Sequence, residues 1–211
     1  MVEFTAEDWS AEDVARLRGI YAPLAQSVRE LVDATIRTEA DAETVSAVKQ
    51  EIDAAVARLR ERQIDGAFGV RVTRDGRGIS WGNAVIGLRN ALAPPVVTHR
   101  DESGRIWAEF DLGAAYEGPP GHVHGGVSAL ILDHVLGEAA SPDQKPRFTG
   151  SITVRYLRAT PLGPLRTEAI RTRTEGVKTY CTGTIADAEG ITVEAEGVFI
   201  TPRWLRESAG D

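Results

Sequence analysis

The sequence has one cysteine and four histidines in 211 residues, and it has no apolar run near the ~18 residues of a membrane-spanning helix. A lone Cys181 cannot close an intramolecular disulfide. Within the strand-like run Thr179-Tyr180-Cys181-Thr182 it reads as core or sheet surface rather than as a nucleophile. Basic charge is also scarce: 24 Lys and Arg stand against 31 Asp and Glu, a net charge of −7. Nucleic-acid binding needs a basic footprint and that balance argues against it, although a local cluster can still hold a phosphate. The first thirty residues carry Glu3, Glu7, Asp8, Glu12 and Asp13, unlike a signal peptide, so a soluble, unexported protein of the reducing cytoplasm is expected. There is no internal repeat and no low-complexity tract.

What is present is enough apolar residue for one sizeable core, 42% of the chain, with an accessory element. Charge is unevenly placed. Residues 1–64 hold thirteen acids against eight Lys or Arg, and the remainder is close to neutral. This puts a boundary near Asp65-Gly66, between an N-terminal helical extension (1–64) and the main domain (65–211). In the extension, Ser10-Ala11-Glu12-Asp13 is a helix-capping pattern, followed by Val14, Leu17 and Ile20. A kink or break is expected at Pro23, before Leu24, Val28, Leu31, Val32 and Ile36. A second helix is expected from about Ala42 to Ile64, with Val45, Val48, Ile52, Val56 and Leu59 as its apolar stripe. Two roles stay open for this pair: cover for a sheet edge or dimer rim, or a lid over a ligand tunnel.

Five glycines and several charges between Asp65 and Gly82 read as a loop, with at most a short strand at Phe68 to Val72. Strands dominate afterwards. Val96 to Arg100, the turn Asp101-Glu102-Ser103-Gly104 and Arg105 to Leu112 form a hairpin, with Ile106, Ala108 and Phe110 alternating. Four more runs follow: Phe148 to Arg158, Leu165 to Thr174, Val177 to Ala186 and Ile191 to Thr201. Their short connections imply antiparallel neighbours. The class is α+β.

The most informative segment is Glu117 to Ala140. A turn-rich loop ends in His124-Gly125-Gly126 and enters an apolar helix containing Asp133, an acid on a face expected to be dry. An unpaired carboxylate there would be costly, which marks Asp133 as a functional candidate. Backbone N–H groups of Gly125 and Gly126 lack intrahelical acceptors and lie at the positive end of the helix dipole, suited to polarising a carbonyl. Gly125 and Asp133 are eight residues apart, about 12 Å along one helix, so a single small reacting centre cannot touch both. If both act on one carbonyl, the acid comes from a second copy across a two-fold axis. His122 and His124, with His99 or His134, could suggest a metal site, but the spacing is common and the apolar helix explains the region without an ion. His134 lies about 100° round the helix from Asp133 and is expected on another face.

These residues resemble the hotdog-fold acyl-CoA thioesterases of the phenylacetate-degradation and mammalian long-chain types. The resemblance runs from about Gly82 to Arg203, through Asn90-Ala91-Leu92-Ala93-Pro94-Pro95, Tyr116-Glu117-Gly118-Pro119-Pro120-Gly121, His124-Gly125-Gly126 with Asp133, and Thr149-Gly150-Ser151-Ile152-Thr153-Val154-Arg155-Tyr156. It implies a hotdog fold, a curved antiparallel sheet wrapped around a long central helix. It also implies Asp133 as general base or nucleophile, Gly125 N–H as oxyanion donor, and Thr149 as the hydroxyl that orients water, beside His124. Some members carry Asn where this chain has Gly118. Expected substrate contacts are Gly126, His122, Arg155 and Arg158; Arg155, Arg158, Lys145 and Arg147 are the candidates for CoA phosphates, with a solvated sheet face as the alternative reading of these four. The expectation is acyl-CoA thioester hydrolysis in lipid metabolism by a homodimer, with a dimer of dimers left open. No metal and no cofactor beyond the substrate's coenzyme A are expected. Two alternatives stand beside it: a non-catalytic acyl-CoA sensor and a hotdog enoyl-CoA hydratase.

Overall fold

The structure, a computed structural model, describes residues 4–142 and 145–207. It divides into two compact units, Met1–Ala93 and Pro94–Asp211.

The first unit holds strand β1 (Phe4–Ala6), helices α1 (Ala11–Arg37) and α2 (Ala42–Arg60), and strands β2 (Val70–Val72) and β3 (Gly78–Ile79). Ser10 caps α1 as its sequence suggests. Its hydroxyl accepts from Asp13 N–H, and the Asp13 carboxylate accepts from Ser10 N–H, so both orphan donors are satisfied. The expected break at Pro23 does not occur: α1 runs through it. Asp41 caps α2, which ends at Arg60 rather than Ile64. No residue of α2 is buried. β1 pairs parallel with β2, and β2 antiparallel with β3, so the chain's start is tied to the glycine-rich segment. The Arg71 guanidinium lies 4.8 Å from the Phe68 ring centre and 5.8 Å from that of Trp9, and is paired with Glu7. Trp81 stacks on both rings at 6.2 Å. This sandwich of rings and cation fixes residues 65–82 to the N-terminal segment. The chain therefore divides after Ala93, while the charge changes near Asp65-Gly66.

The second unit contains β4 (His99–Arg100), β5 (Ile106–Leu112), α3 (Gly125–Ala140), β6 (Phe148–Tyr156), β7 (Gly163–Glu175), β8 (Lys178–Asp187), β9 (Gly190–Ile200) and α4 (Arg203–Glu207). Six antiparallel strands in the order β4-β5-β7-β8-β9-β6 form one sheet, with α3 packed across β5 to β9. This is the hotdog arrangement. Ile131, Leu132, Val135 and Leu136 of α3 are fully buried, as are Ile106, Leu112, Ile185, Val193 and Phe199 of the strands. Gly183 and Gly197 make room for the helix. A Cβ would stand 3.2 Å from Leu136 of the helix at the first, and 2.6 Å from Phe199 and 3.4 Å from Leu136 at the second. β6 closes one side of the sheet as an edge strand, exposed along most of its nine residues.

Candidate active site

The loop before α3 is drawn tight by a bridge between Glu117 and Val123 and by His124 N–H donating to Tyr116 O at 2.9 Å. Gly118 lies directly under His124. A Cβ there would stand 2.7 Å from His124 Cα, so this packing leaves no room for a side chain at the position where some hotdog members place Asn.

His124 is the N-cap of α3. Its Nδ1 accepts from Gly126 N–H at 3.0 Å, so that nitrogen carries no proton and the neutral ring holds it on Nε2. Val127 N–H donates to His124 O at 2.9 Å. The two expected glycine donors thus have different fates. Gly126 N–H is satisfied within the chain, whereas Gly125 N–H has no partner among the described residues. Gly125 is therefore the one donor of the pair that a ligand can use. Tyr156, at the end of β6, covers it from the side: Tyr156 Oη donates to Gly125 O at 2.8 Å, and a Cβ on Gly125 would come within 3.2–3.3 Å of the ring. Sequence reasoning missed Tyr156, because nothing in the strand pattern says which residue meets the helix start.

Two turns further along α3, Thr149 Oγ1 donates to Asp133 Oδ1 at 2.9 Å. Thr149 and Tyr156 are seven residues apart on one strand, an odd number, and would face opposite sides of a regular sheet. Both reach α3 because a β-bulge between Thr149 and Ser151 shifts the pairing with β9 by one residue. Gly150 is the residue passed over, pressed to 3.0 Å from Ile200 if given a Cβ.

Asp133 is half-buried rather than dry. It lines a cavity of about 290 Å³ with Thr149, His134, Glu138, Lys145, Arg147 and Phe199. His134 borders the same cavity, with its ring turned towards Glu138. Its Nε2 lies 2.9 Å from Glu138 Oε1, which also accepts from Thr98 Oγ1 at 3.0 Å, while Arg100 donates to Glu138 O at 2.7 Å. Burial opposes the Glu138 carboxylate. The hydrogen bonds from His134 and Thr98, with the charges of His134 and Arg100, outweigh it and hold the carboxyl below its usual range.

Arg158, Arg155 and His122 have partners within the chain. Arg158 forks onto both oxygens of Asp187 and donates to Gly190 O at 2.9 Å, so it clamps the β8–β9 turn. Arg155 pairs with Glu194 at 3.5 Å, on the strand face opposite Tyr156. His122 Nδ1 donates to Pro120 O at 2.8 Å and stabilises its own loop. Among the described residues no three His, Cys, Asp or Glu come together as a metal site, and no helix is long and apolar enough to cross a membrane.

Residues 120–194 match a family model described as the thioesterase superfamily. The crystal structure of a thioesterase superfamily protein is 34% identical over 93% of this chain and 94% of its own, with a TM-score of 0.77. A phenylacetic acid degradation-related protein from Ralstonia eutropha is 21% identical, over 50% of this chain and 83% of its own, at a TM-score of 0.46. The PaaI protein from the phenylacetic acid degradation operon of E. coli is 14% identical, over 51% and 79%, at 0.47.

Proposed function

Because the chain belongs to the thioesterase superfamily, we propose that it hydrolyses acyl-CoA thioesters, with Asp133 activating water and Gly125 N–H stabilising the oxyanion. The observation that carries this reading is the Thr149–Asp133 hydrogen bond at the cavity wall. By donating to one carboxylate oxygen, Thr149 fixes the acid's orientation and leaves the second oxygen to take a proton from water. The hydroxyl lone pairs remain available to hold that water. Attack on the thioester carbonyl moves charge to its oxygen, which the unpaired Gly125 N–H receives at the positive end of α3. Collapse breaks the C–S bond, and the proton taken from water goes to the CoA thiolate. Lys145 and Arg147 put positive charge on the cavity wall, where CoA phosphates would lie.

The two machinery groups are about 12 Å apart along α3, so one site needs Gly125 from one copy and Asp133 from another. The exposed edge strand β6 supports this arrangement, since its unpaired backbone groups suit β6 of a second copy. Thr149 lies on that strand, so the same pairing would bring Asp133 to the partner's helix start.

A second reading is favoured by one observation: His134, held by Glu138, shares the cavity with Asp133. An acid and a histidine together suit addition of water across an enoyl thioester. Thiol release from saturated, aromatic and unsaturated acyl-CoAs, measured for wild type and Asp133→Asn, separates these outcomes. Release lost in the variant, with substrate binding retained, supports hydrolysis. Loss of enoyl absorbance without thiol release establishes the hydratase. Tight binding with neither reaction makes the protein a sensor.

A further inference from the structure

Helix α2 carries a stripe whose spacing reads the same in both directions. Val45, Val48, Ile52, Val56 and Leu59 follow one another at intervals of three, four, four and three residues. Val45, Val48, Val56 and Leu59 are 48%, 40%, 39% and 53% exposed, Ile52 between them is part-covered, and no residue of the helix is buried among the described residues. A stripe symmetric about its centre meets its own pattern when an antiparallel copy is laid against it. Ile52 then faces Ile52 of that copy, and Val45 faces Leu59.

The charges beside the stripe point the same way. Lys49 and Asp53 are paired with each other on α2 at 2.5 Å. Glu51 and Arg58 have no partner among the described residues. They stand seven residues apart, nearly two full turns, and so on the same flank. In an antiparallel pair that flank faces its own copy, so Glu51 of each helix comes within side-chain reach of Arg58 of the other, twice by symmetry. A parallel pair would instead bring Glu51 towards Val56 of its copy and leave both charges unmatched. A membrane surface would use the stripe but leave this charge arrangement without a purpose.

We propose that α2 is a self-association surface, pairing antiparallel with α2 of a second copy of this chain. Five apolar side chains on a helix about 28 Å long are fewer than the ~20–30 residues a side of a standard interface. The α2 pair therefore strengthens an assembly rather than making one alone. This proposal does not depend on the thioesterase reading, and no α2 residue belongs to the proposed catalytic machinery.

The test is cross-linking of the full-length protein with a short bifunctional maleimide. Native Cys181 does not compete, because it is buried and burial pushes its thiol up to about 11. Val45→Cys and Leu59→Cys variants are treated separately and as an equimolar mixture. Cross-linking in the mixture but in neither variant alone is the expected result, since like positions in an antiparallel pair are about 21 Å apart. Cross-linking of each variant to itself means a parallel pair and overturns the proposal, as does no cross-linking at all. Placed in the same cysteine backgrounds, Glu51→Arg should raise the concentration needed for half-maximal cross-linking about tenfold, and adding Arg58→Glu should restore it. An unchanged midpoint in Glu51→Arg also overturns the proposal. Thiol release, measured on each variant, reports independently on the thioesterase reading and on folding.

Discussion

Gly125→Ala is the substitution in which space and chemistry can be separated most cleanly. The added methyl would stand 3.2 Å from Tyr156 Cε1 and 3.3 Å from Cζ and Oη, inside the ~3.5–4.0 Å of an ordinary carbon contact. Tyr156 is 52% exposed at the end of β6, so its ring can swing outward. Doing so breaks the Tyr156 Oη hydrogen bond to Gly125 O, a net loss of about 0.5–1.5 kcal/mol. Alanine recovers up to ~1 kcal/mol relative to glycine in a helix, so the two effects nearly cancel. At roughly 2–4 °C per kcal/mol for a chain of this size, Tm should move by no more than about 4 °C. Turnover should behave quite differently. The methyl crowds the only free N–H of the glycine pair, and loss of one oxyanion donor costs about 10²–10³ in kcat. The assays are thermal melting and thiol release from the best acyl-CoA. Combining Gly125→Ala with Tyr156→Phe should add almost no further destabilisation, because the hydroxyl's bond is already broken in the single variant. Turnover within a few-fold of wild type, or a collapse in Tm, would refute the reasoning.

The clamp at the β8–β9 turn gives a different kind of outcome. Arg158→Ala should lower Tm yet leave KM for acyl-CoA within about twofold, because Arg158 serves Asp187 and Gly190 rather than substrate phosphates. Asp187 is also a source of acid sensitivity: the Arg158 hydrogen bond, helped by Glu189 N–H, pulls its carboxyl from 3.8 to about 2. A carboxyl whose folded value lies below its unfolded one stabilises fully above the unfolded value and loses that contribution as pH falls towards the folded one. Melting followed between about pH 4 and pH 2 should therefore show a stability loss that is smaller in Asp187→Asn. Gly118→Asn, tried as a return to the residue found in other hotdog members, should destabilise by about 1–3 kcal/mol, because its Cβ meets backbone that cannot swing aside. Thr149→Ala should reduce thiol release less than Asp133→Asn does, since water can replace the lost hydroxyl; an equal loss would show that the hydroxyl acts directly on the substrate.

The elements with strong periodicity were legible in the sequence, and those whose pairing is non-local were not. The alternation of Ile106, Ala108 and Phe110 marked β5, and Ser10 with Asp13 marked the start of α1. β1 has three residues and no alternation, and its partner lies more than sixty positions away, so only the fold reveals it. Of the kink or break expected at Pro23, a break does not occur, for a physical reason: proline removes one donor and strains one turn, but a 27-residue helix can carry that cost without ending. The partner of Arg158 was not legible, because sequence gives a cation's position but not its nearest acid, and Asp187 is brought to it by the β8–β9 turn.

The candidate site was readable as a set of residue types but not as a division of labour among them. The His124-Gly125-Gly126 run offers two equivalent-looking glycine donors, and only the ring geometry decides between them. By accepting from Gly126, His124 satisfies one amide and leaves the other for a ligand. The bulge has a comparable effect on β6. Without Gly150's extra residue, a strand that places Tyr156 over Gly125 would turn Thr149 away from Asp133. One edge strand therefore supports both ends of the proposed machinery on α3, Gly125 through Tyr156 and Asp133 through Thr149. Because that strand is also the exposed edge, any copy that pairs with β6 bears on both groups at once, which couples association to chemistry more directly than a remote interface would.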